Sequence, residues 1–200
     1  SAWDLLKRSS KRRSEVLATD QLLPRMVFQA ARGVSFLHSQ DPPIIHRDIA
    51  ARNMLVTRDF VVKLSDFGLS RSRHYFESRG FTQTNFGPIK YSAPEVLSSK
   101  MHEYSKMSDV FSFGVAVYEM ATGRPPWEDL DPIAAAQRVL NGFRMEILDE
   151  DRVSRELQTL MNRCWAHDSH ERPTMEEVAE SLSQYEMVTS SRIYDDVEDL

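Results

Sequence analysis

Leu23, Val27, Ala30, Val34 and Leu37 recur at helical spacing and give one apolar face to a helix beginning near Asp20. Pro24 is acceptable only in a first turn, which fixes that end. The Asp41-Pro42-Pro43 turn stops the helix at the other. Short β-prone runs follow at Ile44-Ile45, at Met54-Leu55-Val56 and over 61–64. The stretch 109–121 is different. It is apolar almost all round, which predicts a helix at the centre of a domain rather than on its surface. Three more helices are predicted over 132–141, 154–166 and 174–187, and a short one over 1–8. The polar, basic run over 7–15 reads as a solvated insert, with a targeting signal as the lesser reading. Residues 188–200 read as a loose acidic tail. The predicted class is therefore mainly α with short β hairpins. No internal repeat or low-complexity segment is present.

Composition narrows the picture only a little. The 200 residues, 41% hydrophobic and 28% charged, suffice for one domain with a real core. A net charge of -5 gives no reason to expect a nucleic-acid partner. Cys164 is the lone cysteine, so no internal disulfide forms and an intracellular setting is expected. No apolar run reaches the length of a membrane span, and no signal peptide is visible. The chain opens on Ser1 and runs at once into Trp3-Asp4-Leu5-Leu6, as a piece of a longer protein would. The expected location is the cytosol, or the cytoplasmic side of a membrane protein whose span lies upstream.

The chemistry is concentrated in three short stretches: His46-Arg47-Asp48-Ile49-Ala50-Ala51-Arg52-Asn53, Asp66-Phe67-Gly68 and Ala93-Pro94-Glu95. Phosphoryl transfer is mostly positioning and charge neutralisation. It needs a base near the accepting hydroxyl, oxygen ligands for the Mg²⁺ on a triphosphate, and cations. Asp48 and Asn53 supply a carboxylate and an amide oxygen on one loop, and Asp66 supplies a second carboxylate after a β-prone run. Each stretch alone is weak, since a lone Asp-Phe-Gly is usually just a turn. Their order and spacing together resemble the catalytic loop, metal-binding motif and activation-segment end of the protein kinases.

The resemblance covers nearly the whole chain, 1–187, as the large (C-terminal) lobe of that fold. It implies ATP and Mg²⁺ as cofactors and a protein as substrate. It makes Asp48 the catalytic base with Arg52 as its cation, and Asn53 and Asp66 the Mg²⁺ ligands. It also makes 66–95 the activation segment. Structural roles follow in the same way. Asp109 would hold the catalytic-loop backbone, and Glu95 with Arg172 would form a buried ion pair. His46 and Phe67 would be the lower members of a stacked spine. Cys164-Trp165 and Arg172-Pro173-Thr174 match the closing helices. For regulation, Arg47 beside the base is a cation suited to a phosphate on a mobile loop, and Tyr75 is the expected phosphorylation site. Arg71, Arg73 and Arg79 add positive charge there, and Thr82 and Thr84 compete as sites.

Several details resemble the tyrosine kinases. Ser/Thr kinases carry a Lys two places after the catalytic Asp, where this chain has Ala50, and here the cation is Arg52 instead. Pro88 stands where Ser/Thr kinases usually place a Thr, as in the tyrosine-kinase shelf for the longer phenol. Tyr91 and Phe111, at positions of usual Trp residues, and Pro42-Pro43-Ile44-Ile45 pull toward the tyrosine-kinase-like enzymes. The expectation is tyrosine specificity, with Ser/Thr or dual specificity as the alternative.

The small lobe of a kinase brings a Gly-rich loop, a strand Lys and its Glu partner. No G-x-G-x-x-G occurs in this chain, and Lys7 and Lys11 sit in no β pattern. The small lobe is thus expected to be absent from the chain and to act as its missing partner. The alternative is a catalytically silent lobe that docks other proteins. His167, Asp168 and His170 could be taken for a metal cluster but are expected in a surface turn. Residues 197–200 are expected to be solvated tail rather than a peptide ligand.

Overall fold

A computed structural model describes residues 1, 21–57, 59–66, 89–98 and 104–186. Apart from Ser1, the helix expected over 1–8, the insert over 7–15, Phe67, Tyr75, Pro88 and the tail over 188–200 lie outside these residues.

The first long helix, α1 (Leu22–His38), buries the predicted stripe, with Leu23, Val27, Ala30, Val34 and Leu37 all in the core. Pro24 lies in its first turn, where its missing N–H costs nothing. The chain then turns through Asp41-Pro42, a cis peptide. A two-stranded antiparallel hairpin follows, β1 (Met54–Val56) with β2 (Val62–Leu64), in register Leu55 opposite Lys63. It is the one hairpin among the described residues. Ile44-Ile45 is not a strand. The amide of Ile44 donates instead to the Leu37 carbonyl at 3.0 Å, closing the end of α1. β propensity there loses to capping of the helix end.

After the short α2 (Pro94–Ser98) comes α3 (Lys106–Thr122), which contains the apolar run. Ser105 and Ser108 form a reciprocal capping box at its start. Gly123 ends it at φ +63, a left-handed conformation that favours glycine. The interior of α3 is buried almost throughout, from Ser108 to Met120. It packs on α5 (Arg155–Cys164), and the approach is close. A Cβ on Gly114 would lie 2.8 Å from the Cβ of Cys164.

α4 (Pro132–Leu140) is capped by Asp131, whose carboxylate accepts from the amides of Ile133 and Ala134 at 2.9 Å each. α6 (Met175–Ser181) starts with a Thr174–Glu177 capping box and packs on α1. It is shorter than predicted: the chain tightens into a 3-10 turn, Ser183–Tyr185, which also rests on α1. No helix among the described residues is long and apolar enough to cross a membrane. Among the described residues the architecture is mainly helical with one small hairpin, as in the large lobe of a kinase.

Candidate active site

The site is assembled around a buried carboxylate. Asp109, in the first turn of α3, is 1% exposed. Its Oδ2 accepts from the backbone amide of His46 at 2.7 Å, and its Oδ1 from that of Arg47 at 2.9 Å. His38, at the end of α1, completes the shell, with Nε2 3.0 Å from Oδ2. A buried carboxylate needs such partners, and here they are backbone amides of the 46–53 stretch. Arg47 has φ +68, a conformation a non-glycine residue holds only when its surroundings enforce it. His46 is fully buried, and its Nδ1 lies 3.3 Å from the amide of Asp48.

These restraints present Asp48. Its side chain is 10% exposed and pairs through Oδ1 with the Arg52 guanidinium. Oδ2 accepts from Asn53 Nδ2 at 2.9 Å, and that amide also donates to the Asp48 carbonyl at 2.7 Å. Asn53 lies in a 3-10 turn, Ala51–Asn53, directly before β1. Because its NH₂ faces Asp48, its Oδ1 is the oxygen donor left to face a ligand.

The hairpin then returns the chain to the same place. The amide and hydroxyl of Ser65 donate to the Asn53 carbonyl at 2.9 and 3.0 Å, so Asp66 follows immediately beside Asn53. Asp66 is exposed, has φ +64, and makes no hydrogen bond or ion pair among the described residues. An amide oxygen and an exposed carboxylate are hard oxygen donors. They suit Mg²⁺, which keeps phosphate and water ligands rather than a complete protein cage. Among the described residues no group of three or more His, Cys, Asp or Glu could hold a metal ion. His167, Asp168 and His170 are all exposed, and Asp168 merely accepts from the His170 amide at 2.9 Å.

Glu95 and Arg172 meet as a two-pronged pair at 2.7 and 2.8 Å. The pair is expected to be buried, and its two sides differ. The Arg172 side chain is 0% exposed but that of Glu95 is 32% exposed. Arg172 lies deep because it also donates to the carbonyls of Ala166, Met107 and His167, while Glu95 sits near the start of the short surface helix α2. Arg47 places its guanidinium 5.7 Å from the centre of the Tyr104 ring. Phe67 and Tyr75 lie outside the described residues.

Two residues that pattern reading passed over belong to this network. His38 ended a helix and gave no signal of its contact with Asp109. Glu119 is 4% exposed within α3, and its Oε2 accepts from the Tyr91 hydroxyl at 2.7 Å and the Ala51 amide at 3.3 Å. Burial, and then the Glu119 carboxylate, push the Tyr91 phenol well above its ordinary value. A signal for Glu119 did exist: a carboxylate inside a run that is apolar all round must be paired if it is buried.

The profile of the protein tyrosine and serine/threonine kinase family matches residues 4–182. A probable serine/threonine-protein kinase, SIS8, of Arabidopsis thaliana is 38% identical over 84% of the chain and 16% of its own length. A fibroblast growth factor receptor of Strongylocentrotus purpuratus is 37% identical over 90% of the chain and 18% of its own length. A probable serine/threonine-protein kinase of Dictyostelium discoideum is 34% identical over 74% of the chain and 16% of its own length. The chain thus spans less than a fifth of these relatives. On the profile match and these identities, the chain belongs to the protein tyrosine and serine/threonine kinase family.

Proposed function

We propose that this domain transfers phosphate from ATP to a protein hydroxyl, with tyrosine as the preferred acceptor. The observation that supports it most is the Asp48 carboxylate, fixed by Arg52 and Asn53 at the tip of a backbone held by buried Asp109. In this reading Asp48 accepts the proton of the acceptor hydroxyl as the oxygen attacks. Asn53 and Asp66 hold Mg²⁺, which when bound neutralises charge on the triphosphate. Leu55, two residues after Asn53 in the chain and on β1, is 47% exposed and offers an apolar surface. That pairing suits a ligand with a flat base and a phosphate chain.

Tyrosine preference rests on Ala50 and Arg52. Ala50 is fully buried in the core, and the cation beside Asp48 comes from Arg52 instead. Ser/Thr specificity is the second reading, favoured by Tyr91 at a usual Trp position and by the Ser/Thr kinases among the relatives. Phosphorylation of Tyr75 is proposed to activate the enzyme, with Arg47 as a cation that the phosphate meets. One experiment addresses all of this. The domain, joined to a lobe carrying a Gly-rich loop and strand Lys, phosphorylates a mixed peptide library, and the phosphoamino acids and its own phosphopeptides are identified. Phosphotyrosine products and phosphate on Tyr75 are expected. Phosphoserine and phosphothreonine alone would contradict the tyrosine reading, and phosphate only on Thr82 or Thr84 would contradict the Tyr75 one.

A further inference from the structure

Tyr91 closes a 3-10 turn, Ile89–Tyr91, ahead of α2 and reaches back to the catalytic stretch. It is held at both ends. Its hydroxyl donates to Glu119 Oε2 at 2.7 Å, and its carbonyl accepts from Ser112 Oγ at 2.8 Å. Both partners belong to the buried helix α3. Between these anchors the ring carries a cation: the Arg52 guanidinium carbon lies 5.5 Å from the ring centre. The same guanidinium pairs with Asp48 Oδ1.

Building on the phosphotransfer reading above, we propose that Tyr91 is a positioning residue, with Glu119 as its anchor, that sets the Arg52 guanidinium against the Asp48 carboxylate. The need for such a device follows from exposure. The Arg52 side chain is 41% exposed, and an exposed ion pair on a long side chain is weak and loses rotamer freedom when it forms. A ring beneath the guanidinium holds it by cation–π attraction and removes alternative rotamers. The ring is itself rigid because its hydroxyl is tied to a carboxylate in the core. That phenol remains a protonated donor across the neutral range, since burial and Glu119 both raise its pKa. Glu119 also takes the Ala51 amide, so one buried oxygen fixes both the platform and the backbone beside Arg52. Asp48 is therefore oriented from two sides: by Asn53 on Oδ2, and on Oδ1 by a guanidinium resting on an anchored ring.

The test is a double-mutant cycle in the two-lobed protein, with kcat and the KM for ATP measured separately. Arg52→Ala and Tyr91→Leu should each lower kcat by about tenfold with KM for ATP changed less than about threefold, and the double variant should fall no more than about twofold below Arg52→Ala. Tyr91→Phe keeps the ring and removes only the anchor, so a loss of about threefold is expected, shared with Glu119→Gln and not increased when the two are combined. This second cycle decides the matter if Tyr91→Leu does not fold. A separate readout is the Arg52 guanidinium NMR signal, which should show a ring-current shift that Tyr91→Leu abolishes. Losses that multiply in either double variant, or an Arg52 signal unchanged by Tyr91→Leu, would overturn the proposal. Asp48→Asn separates the two layers. If it is inactive while the cycles multiply, only the role of Tyr91 fails. If it is fully active, the phosphotransfer reading itself fails.

Discussion

Asp109 and Arg47 are joined by a 2.9 Å hydrogen bond from a strained backbone amide to a buried carboxylate. The core helix α3 thereby fixes the φ +68 conformation that turns the chain toward Asp48. The same carboxylate takes the His46 amide and contacts His38, so three groups lose their acceptor if it is removed.

Asp109→Ala should therefore destabilise the domain by about 3–5 kcal/mol, the range for stripping the charge from a buried hydrogen-bonded cluster. Urea denaturation measures this directly. Stability within about 1 kcal/mol of wild type would mean that the carboxylate does not hold the loop.

The Glu95–Arg172 pair should respond unequally to truncation. Arg172→Ala removes a buried guanidinium that donates to Glu95 and to three backbone carbonyls, and that rests 5.1 Å from the centre of the Phe111 ring. Three carbonyls lose their donor and a large buried side chain leaves a cavity, so a loss of about 3–5 kcal/mol is expected. Glu95→Ala leaves a buried cation without its counter-charge, but that cation keeps its three carbonyls and water reaches the vacated side, so about half that loss is expected. Equal losses in urea titrations would contradict the asymmetry.

Much of this was legible before the fold was known. The stripe of α1 needed only one apolar face, and α3 announced its central place by having no polar face. The grouping of Asp48, Arg52 and Asn53 was legible because these residues are close together in sequence. What was not legible depends on contacts between distant segments. His38 and Asp109 meet only because α1 and α3 pack together, and neither residue breaks a local pattern. Tyr91 and Glu119 pair across the same kind of distance. The strand expected at Ile44-Ile45 failed because the end of α1 claimed the Ile44 amide first.

Cys164 offers a test by pH. Burial pushes its thiol from an ordinary 9.0 up to about 12. The folded pKa lies above the unfolded one, so this group's contribution to stability is complete below about pH 9 and is lost as pH rises toward about 12. Tyr91, also raised, adds a loss of the same sign above its ordinary 10.0. Stability measured by urea at pH 7, 9 and 10 should fall, and fall less steeply in Cys164→Ala. The native thiol should resist iodoacetamide at pH 8 and react only on unfolding. Rapid native labelling, or identical pH slopes in the two proteins, would contradict the burial of this thiol against α3.

The central claim is that Asp48 is the base of a phosphotransfer site, and substituting it is the most direct test. Asp48→Asn keeps the size and one acceptor oxygen for Arg52 or Asn53, and removes the charge and the proton affinity. In the two-lobed protein, single-turnover transfer from Mg²⁺-ATP to a tyrosine peptide should slow by at least about 10²-fold with nucleotide affinity little changed. Transfer by Asp48→Asn at a rate near wild type would contradict the account.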